Sequence, residues 1–244
     1  MLQQLKKSLA ITKKDLSIYY LRGPVIIQGL LIPAFLFISF SFKRDASIEF
    51  LFPGLLGMAL FFAVSAVTPV IAPWETKMNT LERLVSSPIA LWAILFGDIL
   101  ASVLFGLFIT SFILISGIFL FGFQVITLPL IIGTLIGAFC FSSLGILMSA
   151  HPANQPSDIM LFSTLIKFPL IFISGVFVPI SQMGSFKFLS FLSPLTYYID
   201  LARGAVQGTS EFAPGFNLVI LLLFTIALMF IAIKWHKRSL SKRF

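Results

Sequence analysis

The sequence predicts an all-α integral membrane protein: six transmembrane helices, an N-terminal amphipathic interfacial helix, and short external re-entrant helices before the last span. Three observations carry this. Hydrophobic residues make up 58% of the 244-residue chain and charged ones 11%, against about 45–50% and about 25% in soluble domains. No Asp, Glu, Lys or Arg occurs between Asp98 and Asp158. A soluble domain of this size still exposes roughly a quarter to a third of its surface and cannot hide that much apolar chain. The whole chain, 1–244, reads as one transmembrane domain.

Residues 1–22 come first. Leu2, Leu5, Leu9, Leu16 and Tyr19, with Thr12 between them, recur every three or four residues and predict one helical stripe. Lys7 and Lys14 fall nearly opposite, and Lys6 and Lys13 flank the stripe. This pattern predicts a helix in the cytoplasmic interface, ending where the chain dives at Gly23-Pro24. The alternative is a solvated basic leader. A span needs about 20 apolar residues, which gives Val25–Phe42, Phe50–Ala72, Leu91–Phe121, Phe123–Ala150, Ile159–Ile180 and Phe216–Ile233. The long uncharged stretch is divided at Phe121-Gly122-Phe123-Gln124. With both termini cytoplasmic, twelve bases lie inside (Lys6, Lys7, Lys13, Lys14, Arg22, Lys77, Arg83, Lys234, Lys237, Arg238, Lys242, Arg243) and four outside (Lys43, Arg44, Lys187, Arg203). That bias sets the orientation of a multi-pass protein in the cell membrane.

Several functions are excluded or lack support. The net charge of +8 is explained by membrane topology, so no nucleic-acid partner is expected. Cys140 is the single cysteine, which rules out an internal disulfide. No cleaved leader is expected, because about twenty polar or amphipathic residues precede the first apolar run. His151 and His236 have no carboxylate at metal-ligand spacing. Ser174-Gly175 lacks the glycine two residues before the serine that an intramembrane serine protease would show, and no phosphate-binding loop occurs. No catalytic, metal or cofactor residue is therefore assigned.

The segment 73–90 joins the second and third spans. Leu81, Leu84 and Val85 share one face of a short helix that Thr80 can cap, with Glu82 near its N-terminus and Pro88 stopping it. Tied closely to two spans, such a helix can act as a lever or merely anchor the turn. Its Thr80-Leu81-Glu82-x-Leu84-x-x-Ser87-Pro88 resembles the segment after the second span in permeases of the type-2 ABC exporter (ABC-2) family. A second block agrees: Phe172-x-Ser174-Gly175-x-x-x-Pro179, then Pro194-Leu195-Thr196-Tyr197-x-x-Asp200-x-x-Arg203. It looks like the family's fifth span and the external helices after it. Asn79 stands where the family commonly has glycine, and Met183-Gly184 where it has leucine-proline.

The resemblance implies that 73–90 is a coupling helix docking into an ATP-binding subunit through Trp74, Glu75, Thr80, Leu81, Glu82, Leu84 and Pro88. It implies an outer gate at Ser174, Gly175, Pro179, Pro194, Tyr197, Asp200 and Arg203. It further implies a second copy of the permease around the pathway, with ATP and Mg bound only by the partner subunit. Independently, 180–215 is too short for another pair of spans yet too apolar for a solvated loop, which suits short helices dipping into the outer leaflet. Asp200 and Arg203 can pair at i,i+3. Gly133-x-x-x-Gly137 permits a close helix approach. Asp98 and Lys167 fall at matching depths in spans three and five. They form a candidate intramembrane pair, within a chain or across a dimer, or each snorkels alone.

The expected function is the membrane subunit of an ATP-driven exporter, without an ATPase site of its own, surrounded by membrane lipid. The few polar residues in the spans favour a small amphipathic or lipid-like substrate, such as a drug. A lipid-linked glycan is the alternative. A self-sufficient secondary transporter or channel is the rival from another class, and a membrane-embedded enzyme finds no converging nucleophiles or ligands.

Overall fold

The computed structural model describes residues 2–41, 48–123, 126–151 and 155–240, and every regular element among them is helical. Of the topology-setting residues, Lys43, Arg44, Lys242, Arg243 and Gln124 lie outside the described residues, as does Phe42 at the end of the first expected span. The chain opens with α1 (Leu2–Asp15), which runs into a single wide π turn at Leu16–Tyr20. Then come α2 (Gly23–Ser41), α3 (Ile48–Ser65), α4 (Thr68–Lys77) and the seven-residue α5 (Thr80–Ser86). The long helices α6 (Leu91–Phe121), α7 (Leu128–Ser149) and α8 (Pro156–Ile173) follow. Two 3-10 turns, Ile180–Gln182 and Gly184–Phe186, lead to α9 (Lys187–Ser190), α10 (Pro194–Gln207) and the final α11 (Pro214–Leu240).

Five helical runs among the described residues are long and apolar enough to cross a membrane: Ile48–Lys77, Leu91–Phe121, Leu128–Ser149, Pro156–Ile173 and Pro214–Ser239. The first expected span falls on α2, which is not among the five. Helix α6 ends at Phe121, where the expected turn begins, and the rest of that turn reaches Gln124, outside the described residues. Gly122 closes α6 at φ +69°, the left-handed conformation that favours glycine at a helix C-terminus. The α3–α4 run is the axis of the fold, with 89% of its apolar window buried, whereas α11 is 17% buried and leans on α7 from outside. Around the axis stand α2, α6, α7 and α10.

Missing side chains make room for α10. A Cβ on Gly57 would stand 2.7 Å from Ile199, and one on Gly133 2.5 Å from Leu201. The Gly133-x-x-x-Gly137 face thus receives α10, with Tyr198 against Gly137. Since the α3–α4 run leads from the α10 end of the bundle to the α5 end, the two candidate regions lie at opposite ends of it.

Candidate functional sites at the two ends of the bundle

At the α5 end, α1 lies against the start of α6, with its buried side formed by Ser8, Ile11, Thr12 and Asp15. Ser8 Oγ donates to Ala93 O at 2.7 Å and Thr12 Oγ1 to Gly97 O at 3.0 Å. Gly97 has no Cβ, which would stand 2.8 Å from Ile11 Cβ and Ser8 O. Of the leucine stripe, Leu5 and Leu9 face away from the protein, at 41% and 59% exposed, whereas Leu16 and Tyr19 beyond them pack on the core. The amphipathic period is real, but its small polar side packs on protein. A backbone carbonyl on α6 is a better neighbour for a hydroxyl than for a leucine.

This placement makes α1 a strap across both ends of the α4–α5 turn. Lys14 Nζ bonds Glu75 Oε1 on α4 and lies 2.9 Å from Asp15 Oδ1. Asp98 on α6, itself buried, faces Asp15. Burial works to lower the pKa of the Lys14 ammonium, but Asp15, Glu75 and Asp98 outweigh it and hold the group above its ordinary value. At the other end of the turn, Lys7 Nζ and Gln4 Nε2 both donate to Pro88 O, and Ala90 N–H donates to Gln4 Oε1 at 3.0 Å.

The seven residues proposed for coupling therefore divide. Trp74, 37% exposed, stacks on Tyr19 with ring centroids 5.7 Å apart. Glu75 is buried and taken by Lys14. Leu81 is 4% exposed and anchors α5 inward, while Leu84 is half-buried. Glu82 and Pro88 are exposed, beside Met78, Arg83 and Val85. Thr80 does not cap α5. It occupies the first helical position, and its Oγ1 donates back to Glu75 O at 3.1 Å. Asn79 precedes it at φ +54°, ψ +23°, so asparagine occupies the left-handed turn position. Gln4, Lys7, Lys14 and Asp15 were not singled out as partners of this turn. The one available signal was Asp15, the single acid in the first 22 residues.

At the α10 end, Ser174 is buried with its Oγ donating to Ile171 O, and Gly175 follows at φ +86°. Pro179 precedes the first 3-10 turn, and Gly184, φ +53°, joins it to the second. Pro194 starts α10, and Tyr197 OH donates to Phe191 O at 3.1 Å. The Asp200–Arg203 pair expected from spacing is not formed. Asp200 accepts from Glu211 N–H at 2.8 Å, Phe212 N–H at 3.0 Å and Asn217 Nδ2 at 2.8 Å. Arg203 donates to Gly175 O and lies 5.0 Å over the Phe50 ring. Backbone groups at the α10–α11 turn are nearer partners for the carboxylate than the guanidinium one turn away. Between these elements opens a cleft of about 240 Å³ lined by Phe50, Pro179, Asp200, Arg203, Gln207 and Thr209, among others.

Asp98 and Lys167 are not brought together within one chain. Asp98 belongs to the α1–α6 contact, whereas Lys167 Nζ donates to Ser65 O. Equal depth along two helices fixed their level but not the faces on which they point. Among the described residues no group of three or more His, Cys, Asp or Glu could hold a metal ion.

A sequence profile of the ABC-2 type transporters matches residues 5–206, from α1 into α10. The chain belongs to the ABC-2 type transporter family. It is 26% identical over 180 residues to the inner membrane transport permeases YadH of Escherichia coli K12, Escherichia coli O157:H7 and Shigella flexneri. That alignment covers 73% of this chain and 70% of each relative. Both ends of the bundle described above fall at least partly within the ABC-2 match, and the five long apolar helices agree with a multi-pass membrane protein.

Proposed function

We propose that this chain is the membrane-spanning permease of an ATP-driven exporter, moving an amphipathic drug or lipid-like compound out of the cytoplasm. ABC-2 membership supports it, as does the transport permease name of its relatives. In this reading α2 is the first of six spans, both termini are cytoplasmic, and α5 docks on a separate ATP-binding subunit that carries the ATP and Mg. Two copies of the permease enclose the pathway, with Asp98 and Lys167 close to it, and the α9–α10 region gates its outer mouth. The observation that carries the mechanism is the strap. Because α1 is bonded to Glu75 before α5 and to Pro88 after it, and lies along α6, a push on α5 is transmitted to α4, α1 and α6 together. The exposed face of α5 (Glu82, Arg83 and Val85) is left for the partner. The polar cleft beside Arg203 supports a second reading, in which the exported compound carries a glycan.

The test is affinity purification of the tagged chain from its native membrane in mild detergent, with mass spectrometry of what stays bound. A near-stoichiometric ATP-binding subunit is expected, and Glu82→Arg with Val85→Asp is expected to release it while the chain stays inserted. A chain that purifies alone, while other membrane complexes survive, rejects the ATP-driven reading. Unchanged retention by the double variant rejects docking through α5.

A further inference from the structure

The axial run Ile48–Lys77 breaks once, at Ala66–Val67, between α3 and α4. The cause is local. A continuous helix would satisfy the Ser65 carbonyl with the N–H four residues on, but that residue is Pro69, which has none. Hydroxyls decorate the neighbouring carbonyls, Ser65 Oγ donating to Phe61 O and Thr68 Oγ1 to Val64 O, both at 2.5 Å. The Ser65 carbonyl receives Lys167 Nζ, reaching across from α8. Lys167 is 8% exposed, and among the described residues no carboxylate lies within ion-pair distance of it. An ammonium without a counter-ion is costly inside a membrane protein, so this one carbonyl is its main compensation.

We propose that Lys167 is the positioning residue of this break: by capping the carbonyl that Pro69 orphans, it sets the angle at which α4, carrying α5, leaves α3. Two other contacts meet at the break. Tyr20 OH meets Thr68 Oγ1 at 3.0 Å, and Thr68 sits against Gly145, where a Cβ would come within 2.9 Å. A charge-assisted hydrogen bond thus joins α8 to the break, beside the apolar cluster that Ile159 of α8 shares with Val67, Val70 and Ile71. It can break and re-form as α4 tilts. The consequence for transport rests on the reading that a partner moves α5, whereas the capping itself does not.

The experiment uses the full chain in lipid nanodiscs with the buried Cys140 replaced by alanine. Spin labels are placed at Met78→Cys and Leu161→Cys, where the native side chains are 72% and 66% exposed. Double electron–electron resonance then reads the spread of α4–α5 positions relative to α8. One narrow distance peak is expected for the parent and for Lys167→Arg, which keeps a donor. Lys167→Met is expected to lose that single peak. Pro69→Ala, which returns an N–H to Ser65, is expected to restore it in the Lys167→Met background. A narrow peak in Lys167→Met alone overturns the proposal, and so does a broad peak that Pro69→Ala fails to narrow. If Lys167→Met does not accumulate in the membrane, Pro69→Ala must rescue accumulation, and failure to do so also overturns it. No ATP-binding subunit is needed, so loss of the exporter reading and loss of this one are separable.

Discussion

At the α5 end, one ammonium gathers its acids: Lys14 holds Glu75 and Asp15 while Asp98 stands behind them. At the α10 end, Asp200 and Arg203 line one cleft but bond different partners, the first two backbone N–H groups and Asn217, the second Gly175 O. The two solutions differ mechanically. An ammonium on a four-carbon stem can keep one carboxylate while releasing another, so the α1–α4–α6 contact can rearrange while Lys14 keeps a partner. A carboxylate fixed by three directed donors has no such alternative, and it ties the end of α10 to the start of α11. A lever needs the first kind of joint, and the frame of an outer mouth needs the second.

The sharpest way to break this comparison is Asp200→Ala. It deprives Glu211 N–H, Phe212 N–H and Asn217 Nδ2 of their shared acceptor, and the expected loss is about 3–5 kcal/mol, below the full value of three hydrogen bonds to a charged group at roughly 1.5–3 kcal/mol each because the two backbone N–H groups are part-buried and regain water. Thermal unfolding in detergent should show the drop, with protease cutting first between residues 207 and 214. Asp200→Asn, which keeps part of the acceptor set, should fall between. A parent-like midpoint for Asp200→Ala would show that the α10–α11 turn is held by its apolar contacts alone.

Lys14→Met tests the other joint, with a smaller expected loss of about 2–3 kcal/mol. Removing one partner of a fully buried pair costs about 3–5 kcal/mol, and Lys14 is 27% exposed. The sign with pH is fixed by the raised pKa. The stabilisation from Lys14 is fully present below its ordinary value of 10.5 and is lost as pH rises through the higher folded value. The difference between parent and variant should therefore stay constant around neutrality and shrink in strong alkali, and again in acid where the partner carboxylates take up protons. A difference that shrinks near neutral pH would place the network's charge elsewhere.

These two joints also show what could be read from the sequence. The five long apolar helices were legible because uncharged runs near 20 residues have few alternatives. The left-handed Asn79 was legible from residue type, and Gly122 from its place in the uncharged run. What failed were statements about which face a residue presents. The leucine stripe predicted the period of α1 and a face turned from the protein, which Leu5 and Leu9 present; it carried no signal of which residues pack on α6, and in a chain surrounded by lipid the small polar face can be the packed one. Asp200–Arg203 and Thr80 failed because backbone groups distant in sequence, or just behind in the chain, competed for the same side chains. Asp98 and Lys167 failed as a pair within one chain because the orphaned Ser65 carbonyl was the better-placed acceptor.

Gly97→Ala probes the strap without touching a charge. The added Cβ would meet Ile11 Cβ and the Ser8 carbonyl at 2.8 Å, and overpacking of this kind costs about 1–3 kcal/mol. Because one of the two obstacles is backbone, α1 must move as a unit. The expected result is faster proteolysis between residues 1 and 15 with little change in the midpoint of the rest. A cooperative drop of the whole protein would mean that α1 is part of the core and not a strap upon it.

The smallest expected effect is at Asn79. Its φ of +54° is a conformation that costs L-residues about 1–2 kcal/mol, less for asparagine and nothing for glycine. Asn79→Gly should therefore leave stability within about 0.5 kcal/mol of the parent, since the asparagine makes no side-chain cap that would be lost. Asn79→Val should cost about 1–2 kcal/mol, and the strain falls on the turn that sets α5 after α4. If the exposed face of α5 is what a partner grips, the valine variant should lose retention of that partner more than it loses thermal stability, and the glycine variant neither. Equal retention by both variants would mean that the angle of α5 does not matter to its docking.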